Sequence, residues 1–427
     1  MNRRVFMKAG AMSLVTMGLN PTFLRRAVFA QGLPAGSKGK ILICLFQRGA
    51  ADALNIVVPH GEAEYYRLRP NIGIPRPGTL SAGQAGVLGN ANSQGAIDLD
   101  GFFGLHPSLA PMKALYDRGL LAPVHAVGSP SNTRSHFDAQ DYMETGTPDN
   151  KGTSDGWLNR YLAVRGTCAE CEKPSAFNAV AFAAQTPRIL EGPAPTIAMA
   201  SLDDFTVRAT GSDVQRLEAL YRTGSADLIH GTGAETFDAV KMLKSANPQQ
   251  YQPANGAMYP NSPFARSLKQ IAQLIKSNVG LEVAFADVGG WDTHVQQGAA
   301  TGQLANRLSD FATSIDALVT DLGEKMGDVV IVTMSEFGRM ARQNGTGGTD
   351  HGHAGALFVI GGEVKGHKVY GKWPGLAREQ LYEGRDLALT TDFRSVFAEI
   401  LSKHLGAHSS EKIFPGFDAK QGWLGIV

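Results

Sequence analysis

Short apolar-rich runs, most of them closed by glycines or by polar residues, most constrain what this chain can fold into. Lys40 to Phe46, Leu120 to Val127, Leu281 to Ala286, Val329 to Thr333 and Ala356 to Ile360 are the main ones, with Ala176 to Phe182 beside them. A strand covered on both faces never meets water, so it reads as continuous apolarity rather than as alternation. Between these runs lie stretches with helical spacing: Leu109 to Tyr116, Phe264 to Ile275, and a long stripe from about Gly302 to Lys325. Strand, helix, strand in succession predicts an α/β fold, a doubly wound and mostly parallel sheet with helices on both faces.

In such a sheet, ligands bind beyond the carboxyl ends of the strands. The residues that follow the runs are therefore the candidate site. Gln47-Arg48-Gly49-Ala50-Ala51-Asp52 follows the first, Asp292-Thr293-His294 follows the run ending at Ala286, and Ser335-Glu336-Phe337-Gly338-Arg339 follows Thr333. Asp350-His351-Gly352-His353 precedes the run that starts at Ala356. Carboxylate and imidazole together suit zinc and similar divalent ions. Asp52, Asp292, His294, Glu336, Asp350, His351 and His353 make seven candidate ligands, too many for one ion and about right for two. For Asp52 the competing reading is a helix cap.

Ser135-His136-Phe137-Asp138 opens a helix after the strand at Leu120 to Val127. A hydroxyl there has helix N–H groups and the dipole to stabilise an anion, so Ser135 and Thr133 are candidate nucleophiles. The Ser-x-x-Asp spacing equally reads as a capping box, and His136 and Asp138 as metal or phosphate-positioning groups. Arg48 and Arg339 are candidate clamps for ester oxygens, and a metal centre with such a hydroxyl would serve displacement at phosphorus or sulfur.

With a net charge of +1, the chain lacks the basic excess that a nucleic-acid partner needs. Residues 1–30 read as an export signal: Arg3-Arg4 precede an apolar run from Ala9 to Leu19, and Val28 and Ala30 suit cleavage after Ala30. Paired arginines resemble the twin-arginine signal, which implies the twin-arginine export machinery as a partner, a periplasmic or secreted location, and folding before export. An amphipathic helix or retained anchor is the alternative. No other run approaches membrane length, so a stable span in the mature chain is not expected. Residues 31–427 are expected to form the α/β domain, with a helical and loop insertion near residues 187–262, and the stretch from Glu62 to Phe103 reads as loop. Cys44 reads as a small buried hydrophobe, and Cys168 and Cys171 as a local disulfide or free thiols.

The motifs Gln47 to Asn55, Ser135 to Asp138, Gly290 to His294, Ser335 to Arg339, Thr349 to His353 and Thr391 to Arg394 together resemble the alkaline phosphatase and sulfatase superfamily. They resemble more closely an exported branch of it, domain-of-unknown-function family 1501. The resemblance implies a divalent-metal hydrolase of phosphate or sulfate esters, with zinc, calcium, magnesium or manganese as the ion and a small-molecule or glycan ester as substrate. The chain departs from related hydrolases in two places. Glu336-Phe337-Gly338 stands where they carry Asp-His-Gly, and Gln47 where they carry an aspartate, with Asp52 the candidate substitute. The alternative implied by those departures is a catalytically reduced binding or scaffold protein on the same fold.

Overall fold

The apolar runs become strands that are buried from end to end. In a computed structural model of the chain, residues 39–79, 94–166, 175, 177–202 and 251–427 are described. The expected export signal, most of the insertion expected near residues 187–262, and Cys168 and Cys171 lie outside them. The chain divides into two compact units: Lys40–Thr153, Pro253–Leu268 and Ala286–Val427 in one, and Met1–Gly39, Ser154–Gln252 and Lys269–Phe285 in the other.

The first unit contains β1 (Ile41–Gln47), β5 (Leu121–Gly128), β9 (Val329–Met334), β10 (Gly355–Gly361) and β11 (Thr391–Asp392), in the spatial order β11-β5-β10-β9-β1. Every residue of β1, β5 and β9 is buried. Continuous burial is what continuous apolarity requires, and each Val, Leu or Ile withdrawn from water contributes about 1.5–3 kcal/mol. Cys44 is one of the buried β1 side chains, and burial pushes its thiol well above the usual range.

The fold is α/β with a mostly parallel sheet, as expected. β1 runs parallel to β9, from Ile41 opposite Val329 to Phe46 opposite Met334. β11 runs parallel to β5. The exception is β10, antiparallel to both β5 and β9. Its amino end, Gly355, therefore lies opposite Val127 near the carboxyl end of β5. The Asp350 to His353 segment, which precedes a strand, is thus brought to the same edge as segments that follow strands. Helices α1 (Ala110–Asp117), α2 (His136–Thr145), α3 (Gln303–Leu322) and α4 (Phe393–Lys403) belong to this unit.

The stretch expected as loop between Glu62 and Phe103 contains a short helix at Ala63–Leu68. With its flanks it also forms a small antiparallel sheet of β2 (Val57–Val58), β3 (Ile97–Asp98) and β4 (Gly104–Leu105). Its prolines and glycines sit between these elements and hide them from a periodicity count.

In the second unit, β6 (Ala179–Phe182) and β7 (Ile197–Met199) pair in parallel. The strand β8 (Val283–Val288) begins in this unit. Just before it, Glu282 accepts a hydrogen bond from Tyr161 and pairs with Arg165 at 2.7 Å.

Asp52, read as a candidate ligand or a helix cap, makes no side-chain capping bond and is held instead in a buried network of the first unit. Its Oδ2 accepts from Arg69 Nη1 at 2.6 Å and from Gln297 Nε2 at 2.7 Å. Arg69 also donates to Asn55 Oδ1 at 2.7 Å and to the Ala341 carbonyl at 2.9 Å. Both charged side chains are fully buried. A buried ion pair that loses one partner leaves a stranded charge, at about 3–5 kcal/mol. Arg69→Met is accordingly expected to lower the unfolding free energy by about that amount in urea titration; a loss below about 1 kcal/mol would contradict this role.

Candidate metal centre

At the carboxyl edge of the first unit, His136, Asp292 and His351 place one donor atom each within 4.8 Å of one another. His136 Nε2 is 3.0 Å from His351 Nε2. It is also 3.5 Å from Asp292 Oδ2, and His351 Nε2 is 3.3 Å from Asp292 Oδ1. His294 stands against this group, its Nε2 3.0 Å from both Asp292 Oδ1 and His351 Nε2. The two rings of the triad are about one-quarter exposed and the Asp292 side chain is 40% exposed, so the group opens to solvent.

The far side of each ring explains why the Nε2 atoms converge. His136 Nδ1 bonds Glu336 Oε1 at 2.8 Å, His351 Nδ1 the Arg134 carbonyl at 2.8 Å, and His294 Nδ1 lies 3.2 Å from Asp350 Oδ1. Carboxylates and carbonyls only accept, so each Nδ1 is the donor, and a ring protonated at Nδ1 alone turns its Nε2 lone pair toward the group. In that tautomer the converging lone pairs and the carboxylate repel one another, and a cation or a proton among them relieves the repulsion. Donors about 2.0–2.1 Å from a tetrahedral zinc ion are about 3.3 Å apart, close to the separations between these atoms. The donor set therefore fits a divalent ion of the zinc type. Ring N–H bonds to carboxylate or carbonyl are the usual outer support of metal-ligating histidines.

Local sequence accounts for the placement of each group. Ser135 is the N-cap of α2, so His136 opens the helix, and Gln140 follows one turn later on the same face. Gln140 Nε2 and Gly49 N join His136 on Glu336 Oε1 at 2.9 and 2.8 Å. Gly49 has φ +118°, and a Cβ there would lie 2.7 Å from Asp292 N, so only glycine lets the β1 loop pass this close. Gly338 is equally confined, since its Cβ would collide with the Ala354 carbonyl. That close approach lets Arg339 bridge to His351 as a short antiparallel pair.

The charges are arranged to keep the acids ionised. Burial works to raise the Glu336 carboxyl, but the bonds from His136, Gln140 and Gly49 outweigh it and hold it below its usual range. Burial likewise opposes ionisation of Asp292, and Arg339 overcomes it. The bond from Asn344 holds Asp350 low. The His136 imidazole is raised by its bond to Glu336, whereas burial lowers that of His351.

Against this geometry the expected residues separate into groups. Asp292, His294 and His351 are brought together, and they are joined by His136, whose place at a helix start just after a strand was the available signal. Glu336 and Asp350 stand one layer out, orienting His136 and His294. His353 is turned away, stacked on Tyr382 with ring centroids 4.2 Å apart, and burial lowers its pKa. The described residues thus gather one donor group rather than the two that seven ligands implied.

The expected ester clamps are spent elsewhere. Arg339 is buried and turned inward, donating to Asp292 Oδ1 at 2.6 Å and to Thr349 Oγ1 at 3.1 Å. Arg48 pairs with Asp287 at 2.6 Å and Glu144 at 2.8 Å and donates to Gln140 Oε1 at 2.9 Å. Ser135 is exposed and its hydroxyl makes no capping bond, contrary to the capping-box reading. Thr133 Oγ1 accepts from Ser135 N at 3.3 Å. Asp138 pairs with Lys151 at 2.7 Å. Gln140, Asn344 and the Arg134 carbonyl were missed, because an amide and a backbone oxygen carry no metal-type signature.

These features define a class: an α/β protein whose strand ends converge on a His-Asp-His donor set with acidic and carbonyl support behind it. The chain belongs to the family described as "Protein of unknown function (DUF1501)", whose model matches residues 39–413. No curated protein matches the chain. Among solved structures it is similar to the lipoteichoic acid synthase LtaP from Listeria monocytogenes, at 11% identity and a TM-score of 0.25, over 73% of this chain and 61% of that one. The chain thus spans about three fifths of the length of that structure, and a likeness this distant carries no argument about activity.

Outer support of this kind typically alters metal affinity about 10–100-fold. Glu336→Gln is expected to weaken metal retention by about that factor in competition dialysis against a chelator, with the circular dichroism spectrum unchanged. Retention equal to the wild type would show that Glu336 does not orient His136 for a metal.

Proposed function

We propose that the chain is a metal-dependent hydrolase of phosphate or sulfate esters, related to the alkaline phosphatase and sulfatase superfamily and exported through the twin-arginine pathway to the periplasm or beyond. The observation that carries this reading is the convergence of the His136 and His351 Nε2 atoms and the Asp292 carboxylate at a solvent-open strand edge, with both Nδ1 protons committed elsewhere. The motifs that resemble the superfamily support the choice of ester. Among the described residues no helix is long and apolar enough to cross a membrane.

His136, Asp292 and His351 would hold the ion, with zinc the best match to two imidazoles and a carboxylate. When bound, a divalent ion supplies Lewis-acid polarisation of an ester oxygen. Arg339 keeps Asp292 ionised and aimed, and Glu336 fixes the tautomer of His136. His294, backed by Asp350, is the group placed to hold a proton taken from water or from a hydroxyl and to pass it to the departing alcohol. Ser135 and Thr133 lie one and three residues before His136 and remain the candidate hydroxyls for attack.

Purified protein is expected to carry about one divalent ion per chain by elemental mass spectrometry. His351→Ala is expected to lose both the ion and turnover of aryl phosphate and sulfate esters. His294→Asn is expected to keep the ion while turnover falls about 10²–10⁴-fold, the usual share of a general acid–base group. A folded, metal-free wild type, or a metal-loaded one with no ester turnover, would overturn the reading.

A further inference from the structure

A cavity in the same unit concentrates positive charge that the metal centre does not use. Arg67, Arg342, Arg378 and Arg385 line a space of about 270 Å³ with a single acid, Glu64, over three leucines. The whole chain carries a net charge of only +1, so four arginines against one glutamate is a local concentration. Two of them are partly neutralised: Arg67 pairs with Glu64, and Arg385 Nε lies 3.0 Å from Asp386 Oδ1. Arg342 and Arg378 are exposed and have no acidic partner among the described residues. Guanidinium forks without carboxylates match tetrahedral oxyanions, which take parallel N–H bonds on two oxygens.

The cavity is built on the same segments as the metal centre. Arg385 Nη2 donates to the His351 carbonyl at 2.8 Å. Met340, in the cavity wall, directly follows Arg339, whose guanidinium holds Asp292. Ligand pockets commonly run to about 300–1,000 Å³, so this space suits one charged group better than a whole substrate.

We propose that this arginine cavity binds a sulfate or phosphate group through Arg342 and Arg378, as a second anion site beside the metal centre. Calorimetric titration of the purified full chain with sodium sulfate at constant ionic strength tests it. Saturable binding is expected, weakened at least about tenfold in R342A/R378A and retained in His351→Ala. Equal affinity in the double variant, binding lost in His351→Ala but kept in R342A/R378A, or no saturable binding would overturn the proposal.

This readout does not depend on turnover, so it stands or falls apart from the hydrolase reading. Turnover then separates the two sources of the anion. If the group arrives on the ester itself, R342A/R378A raises KM for a disulfated aryl ester with kcat unchanged and leaves a monosulfated one alone. If it is a free ion, inorganic sulfate alters turnover of the monosulfated ester in the wild type and not in the double variant.

Discussion

The buried carboxylate of Glu336 is the interaction on which the candidate centre depends. Its side chain has no exposed surface, yet it is held ionised. Withdrawing a carboxylate from water costs several kcal/mol unless its lone pairs are filled. Here Oε1 accepts from Gly49 N, His136 Nδ1 and Gln140 Nε2, and Ser335 Oγ lies 3.1 Å from Oε2. These donors come from the β1 loop, the first two turns of α2 and the end of β9. One charge therefore ties three segments together and sets the proton on His136 in the same act.

Around that anchor the centre is built in layers with opposite charge. Arg339 donates to Asp292, Asp350 and the Arg134 carbonyl stand against the Nδ1 atoms of His294 and His351, and Arg48 holds Gln140. The antiparallel course of β10 makes this possible, because it delivers His351 to an edge that parallel strands supply only with residues that follow them. Gly338 and Gly49 allow the backbones to approach closely enough for the layers to close. The arginine cavity shares two of these segments with the candidate centre.

Much of this was legible in the chain itself. Continuous apolar runs identified the buried strands because a doubly covered strand has no wet face. The strand ends pointed to Asp292, His294, Glu336, Asp350 and His351 because open α/β sheets bind ligands there. Composition could not rank those residues. A carboxylate inside a donor group and one that orients a neighbouring ring look the same in sequence, and Glu336 and Asp350 differ from Asp292 only in which atom faces them. Arg48 and Arg339 were read as ester clamps for the same reason.

What the sequence determined by itself was the class of fold, the family motifs and the neighbourhood of the site, since these follow from local periodicity and from residue type at strand ends. Tertiary structure decided the roles. It sent Asp52 to Arg69, turned His353 onto Tyr382, brought His136 across from α2, and reduced seven candidate ligands to one convergent group. The physical reason is that a side chain's role is set by the partner its donor or acceptor atoms meet. The partners here lie from 17 residues apart, for Asp52 and Arg69, to 215, for His136 and His351.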